Sequence, residues 1–315
     1  MMTSTTNPWK DMQESSRRRV DNLSDHNIFW ITDLKGSYGF CLQSKNTFNN
    51  TDSKSYLKGI NIVKRNSAEN FGELFLLLNQ KEDWPIFLSL CNDLVSMTHR
   101  YDDDLAMISA VEVRLNRWQQ LLKLDSLNEM SQKVQMGLYS ELTCLLEMVI
   151  PKYGVSQSIS AWVGPDFDKQ DFLLDNAIFE IKSYKTSKGE VVNISSVNQL
   201  YSEKIPLYLL TYGLTISENG TSIDDLVLVI NELLESEAND FKDQFDSKLM
   251  EYGYIPELST KPLIKFIVDK NKGYLVSGSF PKLDPTSLAQ EIISVKYSID
   301  MLLCEQHEIG LSTIL

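Results

Sequence analysis

Two short apolar runs separated by only two residues place the strongest constraint on how this chain can fold. The runs cover residues 172–174 and 177–179, and the residues between them are Asp175 and Asn176. Asp and Asn tolerate the positive φ angles of a tight two-residue turn. The pattern therefore predicts a β-hairpin with a fixed register, in which the phenylalanines of the two strands lie opposite one another.

The predicted register brings charged side chains to one place. One step beyond the paired phenylalanines, Asp171 lies opposite Glu180, with Cβ atoms roughly 5 Å apart on the same face. Lys182 joins that face because side chains alternate with a period of two along a strand. Two carboxylates at this distance repel each other, and a hard cation such as Mg²⁺ or Mn²⁺ would relieve the repulsion. The sequence therefore predicts a metal site at Asp171 and Glu180, with the backbone carbonyl of Ile181 as a further ligand.

Four short segments around the hairpin carry a family resemblance. They are Trp162-x-Gly164-Pro165, Gln170-Asp171-Phe172, Glu180-Ile181-Lys182-Ser183 and Ile194-Ser195-Ser196-x-x-Gln199-Leu200. An acidic residue followed on the next strand by Asp/Glu-x-Lys resembles the PD-(D/E)XK nuclease superfamily. The four segments together look like a bacterial family of PD-(D/E)XK motif proteins, which is associated with restriction and phage-defence gene clusters. The resemblance, concentrated between residues 137 and 211, implies motif positions at Glu141, Asp171, Glu180, Lys182 and Gln199.

The resemblance implies both a fold and an activity. The expected fold is α/β, with a restriction-endonuclease-like core in the order helix, three-strand meander, helix and strand, the last strand at residues 207–216. The expected activity is metal-dependent hydrolysis of DNA phosphodiester bonds in restriction or anti-phage defence, with Mg²⁺ or Mn²⁺ as cofactor and a helicase or ATPase subunit as partner. The alternative is a catalytically silent nuclease fold that serves as a scaffold or DNA-binding subunit of a defence complex.

Other acidic residues compete for the first position of the motif. Asp166 follows Pro165 directly, but it lies five residues before the predicted strand in a turn, where Asp is common. Asp171 is therefore preferred. The tripeptide Asp/Glu-x-Lys carries no information by itself, since Asp-Ser-Lys also occurs at residues 52–54 and 246–248. Neither of these copies follows a predicted hairpin strand with an acid opposite it.

Glu141 and Gln199 each have a structural as well as a functional interpretation. Glu141 falls on the apolar stripe of a helix predicted to begin at a capping box at residues 126–129 and to end near residue 150. A buried carboxylate needs either a metal or a Lys or Arg partner, and the resemblance implies a catalytic or metal-binding role. Gln199 is implied to lie near substrate phosphate, but it also completes a capping box with Ser196 at the start of a predicted helix.

Length and composition limit the remaining possibilities. The 315 residues are predicted to form an N-terminal β/helical domain at 1–125 and a nuclease-like domain with a C-terminal extension at 126–315. No apolar run is long enough to span a membrane and the N-terminus lacks a signal-peptide core, which predicts a cytoplasmic protein. The four cysteines lack metal-binding or disulfide spacing, and no phosphate-binding glycine loop occurs, so an ATP-driven step would need a partner.

Charge sets an expectation about DNA binding. The formal net charge of −13 argues against tight binding of long nucleic acid by the chain alone. The lysines between residues 169 and 188 are still compatible with a local basic channel. Arg17–Arg19 is predicted to lie in a mobile arm or an entry helix. An acidic helical stretch at residues 224–250 is a candidate contact for a basic partner, and a homodimer is left open. Residues 264–276 are predicted to form a second hairpin around a turn at Asn271-Lys272-Gly273.

Overall fold

The computed structural model of the chain describes residues 7–20, 26–48, 55–57, 59–67, 71–123, 130–166, 170–203, 205–255 and 262–314. The chain forms two compact units, Met1–Leu127 and Asn128–Leu315. The predicted capping box at residues 126–129 and Lys169 of the predicted basic channel lie outside the described residues. Among the helices that the structure describes, none combines the length and the apolar character needed to cross a bilayer.

The N-terminal unit contains a six-stranded antiparallel sheet followed by two helices. The strand order across the sheet is β1-β2-β3-β6-β5-β4. Arg17–Arg19 is an edge strand paired with β2, so the prediction of a mobile arm or entry helix at the arginine triplet was wrong. The elements are β1 (Arg17–Arg19), β2 (Asn27–Thr32), β3 (Tyr38–Ser44), β4 (Ser55–Leu57), β5 (Ile60–Asn66), β6 (Gly72–Leu78), α1 (Trp84–Thr98) and α2 (Asp104–Lys123).

The two faces of this sheet differ in burial. On β6 every second residue is buried and the residues between them are half-buried, as the period of two in a strand requires. Helix α2 lies against the buried face, where Asp104 accepts a hydrogen bond from Ser44 (2.9 Å) and Glu112 pairs with Lys64 (2.6 Å). The opposite face therefore carries the half-buried set of side chains.

The C-terminal unit contains a five-stranded mixed sheet and five α-helices among its described residues. The strand order is β13-β11-β10-β8-β7, in which β8 and β10 are parallel and the other pairs are antiparallel. This mixed α/β architecture confirms the predicted fold class. The elements are α3 (Gln132–Cys144), a π-helical turn (Leu145–Val149), α4 (Ile150–Tyr153), α5 (Val155–Ala161), β7 (Phe172–Leu173), β8 (Ile178–Lys185), β9 (Val191–Ile194), β10 (Leu207–Thr221), α6 (Ile223–Leu234), α7 (Asn239–Glu251), β11 (Phe266–Leu275), β12 (Tyr297–Asp300) and β13 (Glu308–Ile309).

Two details of the core differ from the expected order of elements. Strand β9 follows the hairpin, as a meander requires, but it pairs with β12 in a separate two-stranded sheet. The segment between β9 and β10, where a helix was expected, forms a single 3₁₀ turn at Val197–Leu200. The chain therefore passes from β9 to β10 by a short connection without an α-helix.

The predicted hairpin at residues 264–276 was wrong. Phe266–Leu275 is one continuous strand that pairs antiparallel with β10, which is long enough to accompany it. Gly273, interpreted from sequence as a turn residue, instead allows close packing, because an added Cβ would lie 2.6 Å from the Cδ1 atom of Ile314. The acidic stretch at residues 224–250 is helical as predicted, but it forms two helices, α6 and α7.

The central sheet of the C-terminal unit separates two apolar layers. Phe179 and Ile181 of β8 belong to the layer that also contains side chains of α3, α5 and α6. Ile178 and Tyr184 belong to the layer on the other side, with side chains of β9 and β12. Because side chains alternate along a strand, Glu180 projects toward this second layer.

Candidate active site

The hairpin predicted from residues 172–179 is present, and its register is the predicted one. Phe172 pairs with Phe179, and Leu173 pairs with Ile178. The ladder ends there, so the predicted direct pairing of Asp171 with Glu180 is not formed. The amide of Asp171 donates to the carbonyl of Phe179 (3.0 Å), and its carbonyl accepts from the amides of residues 163 and 164. The backbone of Asp171 thus turns away from β8 toward the segment that follows α5.

The carboxylate of Asp171 replaces the missing strand pairing at the edge of β8. Its Oδ2 atom accepts a hydrogen bond from the amide of Ile181 at 2.6 Å. A buried backbone N–H without an acceptor is costly, and β7 ends before it could supply one. Asp171 therefore lies beside the middle residue of the Glu180-Ile181-Lys182 tripeptide. The hydrogen bond uses the amide of Ile181, so the carbonyl of Ile181 stays a predicted metal ligand.

Glu180 and Lys182 form a buried ion pair with one oxygen left over. Glu180 is fully buried, and its Oε1 atom accepts a hydrogen bond from Nζ of Lys182. Among the described residues, its Oε2 atom has no hydrogen-bond partner. Burial, followed by repulsion from Asp171, raises the pKa of Glu180 well above its ordinary value. A single ammonium group is thus shared between two neighbouring carboxylates.

Lys182 stays positively charged in this environment. Burial by itself lowers the pKa of the ammonium, but attraction to Glu180 and Asp171 outweighs the burial and leaves the pKa above its ordinary value. A lysine held in the ammonium form donates hydrogen bonds and does not accept a proton. Lys182 is therefore available as a hydrogen-bond donor and a positive charge.

Glu141 approaches the same place from helix α3. Its side chain is 5 % exposed and accepts hydrogen bonds from Nε1 of Trp162 (2.8 Å) and from the hydroxyl of Tyr252. Both donors are neutral. Burial and the negative charge of Asp171 raise the pKa of Glu141 to about 8, so this carboxyl group holds a proton at neutral pH when no cation is bound.

Gly164 shows how closely Glu141 and Asp171 approach each other. A Cβ atom added at Gly164 would lie 2.8 Å from Oε2 of Glu141 and 2.9 Å from Oδ1 of Asp171. Both distances are shorter than real Cβ contacts, so any larger residue at this position would displace the ends of the two acidic side chains. The structure thereby brings together four of the predicted site residues, Glu141, Asp171, Glu180 and Lys182.

Trp162, Tyr252 and Lys248 support the site and were not assigned this role from sequence. The rings of Trp162 and Tyr252 stack with centroids 6.3 Å apart, and both donate to Glu141. Lys248 is buried and donates to the carbonyls of Ile159 (3.0 Å) and Trp162, which fixes the end of α5. Lys248 belongs to one of the uninformative Asp-Ser-Lys copies, and Tyr252 lies 111 residues from Glu141, so no local pattern revealed either contact.

Gln199 is engaged in a local turn, and a neighbouring glutamine makes the longer connection. The side-chain oxygen of Gln199 accepts a hydrogen bond from the amide of Ser195 (2.8 Å). Its implied role near substrate phosphate therefore stays a prediction. Gln170 is buried and donates to the carbonyls of Asn198 (2.7 Å) and Tyr201 (3.1 Å), which ties the Asp171 segment to the 3₁₀ turn. In the sequence, Gln170 is marked only by its place in the segment Gln170-Asp171-Phe172.

Asp166, the competing first acid, ends a short 3₁₀ turn at Gly164–Asp166. Its side chain lies outside the described part of the chain, as does the Asp-Ser-Lys copy at residues 52–54. Asp171 is the acid that the structure places at β8.

The donor set can be compared with the needs of a divalent cation. Within the described residues, no group of three or more His, Cys, Asp or Glu side chains is arranged to hold a metal ion. Mg²⁺, however, commonly binds through one or two carboxylates, several waters and a substrate phosphate. The unpartnered Oε2 atom of Glu180 and the raised pKa of Asp171, which burial causes, fit such a two-carboxylate site.

Comparison with known protein families assigns the chain to one of them. A family model with the description "Putative PD-(D/E)XK family member (DUF4420)" matches residues 5–302. The chain belongs to this family. No curated protein and no solved structure matches the chain significantly. Membership covers both compact units, so the N-terminal sheet and its helices are part of the family architecture as well as the nuclease-like core.

Proposed function

We propose that this PD-(D/E)XK family member is a metal-dependent nuclease that hydrolyses phosphodiester bonds in DNA. The observation that carries the proposal is the fully buried Glu180, which has one unpartnered oxygen beside Asp171 and Lys182. Buried carboxylates that serve only stability normally have all their oxygens satisfied. A group left short of partners in a cluster of raised pKa values supports a binding or catalytic role.

Asp171 and Glu180 would hold the divalent cation. Asp171 retains its Oδ1 atom and Glu180 its Oε2 atom, because their other oxygens bind the amide of Ile181 and Lys182. When bound, the cation would supply Lewis-acid polarisation of the phosphoryl group and a water of lowered pKa. The oxygens already in use fix the direction in which the remaining two oxygens point, so the ligands are positioned before the cation arrives.

Lys182 would act on the substrate as a fixed ammonium. Its attraction to Glu180 and Asp171 keeps it charged, so it can donate to the attacking water or to a phosphate oxygen. Negative charge builds up on the phosphoryl oxygens during displacement, and a donor held in place offsets that charge without reorganising. In this role Lys182 orients the attacking water or a phosphate oxygen and stabilises the negative charge. The proton of the water leaves by another route.

Glu141 is the group best suited to manage that proton. Its pKa of about 8 lies near neutral pH, where a carboxyl group both accepts and releases protons readily. Trp162 and Tyr252 hold it in place from two sides. Binding of a cation at Asp171 would offset the repulsion that raises this pKa and would favour release of the proton from Glu141. We also propose that Glu141 contacts the metal directly, as the family resemblance implies.

Cleavage and metal binding are tested together. Purified protein is incubated with plasmid DNA and Mg²⁺ or Mn²⁺, and Mn²⁺ binding is followed by electron paramagnetic resonance. Glu180→Gln and Lys182→Met should each lower the cleavage rate by about 100-fold or more, and Glu180→Gln should also weaken Mn²⁺ binding. Lys152→Met, an exposed position on α4, is the matched control and should change neither. A wild-type protein that neither binds Mn²⁺ nor cleaves would contradict the proposal.

A catalytically silent scaffold or DNA-binding subunit is the second candidate, favoured by the charge of the C-terminal unit. Residues 128–315 contain 27 Asp and Glu against 15 Lys and Arg, which disfavours DNA binding by this unit alone. For the nuclease, this charge implies that a partner, such as a helicase or ATPase subunit in a restriction or anti-phage system, delivers the DNA. Mn²⁺ binding without cleavage, even with that partner present, would favour the scaffold.

A further inference from the structure

The half-buried face of the N-terminal sheet carries a row of aromatic side chains. Phe29 of β2 pairs with Cys41 of β3, and Cys41 pairs with Phe75 of β6. Residues paired directly across a sheet point to the same face. The two rings therefore lie on one face, about 10 Å apart across two strand spacings, with the small Cys41 side chain between them. Both phenylalanines are half-buried, whereas the buried face is covered by helices.

Arginine side chains lie over these rings. The guanidinium of Arg17 lies 5.3 Å from the centroid of the Phe29 ring, and that of Arg65 lies 5.2 Å from the centroid of Phe75. Arg19 pairs with Phe29 across β1 and β2 and so shares the face. Arg18, the residue between them, points the other way and donates to the carbonyl of Pro8. The alternation of the strand thus presents two arginines of the triplet on the aromatic face.

A shallow cavity of about 450 Å³ opens on the same face. Its lining includes Arg17, Ile31, Val63, Arg65, Phe75 and Leu77. These residues come from four strands, so the cavity runs across the sheet. The lining thus combines apolar side chains with two arginines, and it also includes Ser15, Ser16 and Asp33.

Arginine is unevenly distributed along the chain. All seven arginines lie between Arg17 and Arg117. Residues 1–127 carry 15 Lys and Arg against 16 Asp and Glu, while the remaining residues carry 15 against 27. The N-terminal unit is therefore close to charge balance in a strongly acidic chain, and three of its arginines share the aromatic face. Glu73 shares this face because it pairs with Arg65, but the three arginines outnumber it, so an anionic partner is favoured here over the strongly acidic residues 128–315.

We propose that this face, defined by Phe29, Phe75, Arg17, Arg19 and Arg65, binds single-stranded nucleic acid. Bases stack on aromatic rings and on guanidinium planes, and arginines pair with the intervening phosphates. A duplex keeps its bases stacked inside and offers no ring to a flat sheet. An acidic peptide would use the arginines but would gain nothing from the phenylalanines. The site lies apart from Asp171 and Glu180 in sequence and requires no cleavage, so it extends beyond the proposed nuclease activity.

Binding is measured on the 315-residue chain in EDTA, which prevents metal-dependent cleavage and separates this test from that of the nuclease. The probes are a fluorescent 12-nucleotide oligo(dT), a duplex of the same length and, as competitor, poly-glutamate. The wild type should bind the single strand at least tenfold more tightly than the duplex, and poly-glutamate should compete weakly. Equal or tighter binding of the duplex, or efficient displacement by poly-glutamate, would overturn the proposal.

Variants separate stacking from charge. Phe29→Leu with Phe75→Leu keeps the face apolar but removes both rings, and should lower affinity for the single strand at least tenfold. Arg17→Gln with Arg19→Gln should lower the slope of log affinity against log salt by about 0.7 for each phosphate that is no longer neutralised. Arg18→Gln, on the same strand but the opposite face, is the matched control, with its melting temperature checked. Unchanged affinity in the double phenylalanine variant would show that the rings do not bind bases.

Discussion

Each unit of the protein contains a carboxylate that accepts a hydrogen bond from a tryptophan indole, half-buried in the N-terminal unit and buried in the C-terminal unit. In the N-terminal unit Trp118 donates to Asp93 at 2.7 Å, and in the C-terminal unit Trp162 donates to Glu141 at 2.8 Å. The two sites differ in what else binds the carboxylate. Arg114 forms two hydrogen bonds to Asp93, at 2.6 and 2.7 Å, and neutralises it. Asp93 is thus a closed structural site.

Among the residues that the structure describes, none gives Glu141 a comparable cation. Its second donor is the neutral hydroxyl of Tyr252, and its neighbour Asp171 is another acid. Asp171 and Glu180 in turn share Lys182. Enclosure of a carboxylate in the protein is therefore not itself a sign of function, since bidentate arginine pairing makes it compatible with stability. The informative feature is a shortage of positive charge, which a divalent cation could remedy.

The largest effect on stability is expected when the ion pair between Asp93 and Arg114 is broken. Arg114→Met leaves the half-buried Asp93 without its arginine partner and should destabilise the N-terminal unit by about 3–4 kcal/mol. Hydrogen exchange resolved by peptide measures the two units separately. The double variant Arg114→Met with Asp93→Asn should recover part of the loss, because it removes the unpaired charge. A loss below about 1 kcal/mol in the single variant would show that Asp93 tolerates burial without its partner.

A smaller effect, with a defined pH dependence, is expected at Glu141. The folded protein raises the pKa of this acid to about 8, whereas the unfolded chain keeps it near its ordinary value of about 4.3. Between these values the folded state binds more protons than the unfolded state, so the free energy of unfolding falls as pH rises. Between about pH 4.5 and 7 the decrease should be about 3 kcal/mol in metal-free protein.

Glu141→Gln isolates this contribution. The amide stays neutral at all pH values, so the decrease in stability between about pH 4.5 and 8 should become shallower. The raised pKa values of Asp171 and Glu180 leave a residual slope. Urea unfolding followed at several pH values in EDTA gives the comparison. An identical pH profile in the wild type and the variant would mean that Glu141 ionises normally in the folded protein.

The parts of the site that were predictable from sequence are the local ones. The hairpin of residues 172–179 is contiguous, so its turn residues and apolar pattern fix the register of Phe172 and Phe179. The strand at Phe266–Leu275 was interpreted as a hairpin because Asn-Lys-Gly resembles a turn, and only the length of β10 explains why it stays extended. Neighbouring strands outside the local segment decide such cases.

The contacts that complete the site could not be predicted because they join distant segments. Glu141 and Tyr252 are 111 residues apart, and Gln170 reaches the carbonyls of a turn 28 and 31 residues later. The carboxylate of Asp171 caps the amide of Ile181, since the ladder ends one residue earlier than the pattern indicated. An alternating pattern specifies which residues share a face, but it does not specify where a strand stops pairing.

The smallest effect on stability is expected for substitution of Asp171. The sign of this effect distinguishes a carboxylate of a candidate metal site from one that serves a structural ion pair. Asp171→Asn keeps an oxygen to accept from the amide of Ile181, while it removes a negative charge that raises the pKa of both Glu141 and Glu180. The variant should be as stable as the wild type or more stable by about 1 kcal/mol in EDTA, and the pH at which Glu141 loses its proton should fall. Asp93→Asn, the equivalent change in the N-terminal unit, should destabilise, because it weakens the bidentate bond to Arg114. Unfolding measured for both variants at pH 7.5 decides the matter: marked destabilisation by Asp171→Asn would show that Asp171, like Asp93, serves a structural ion pair.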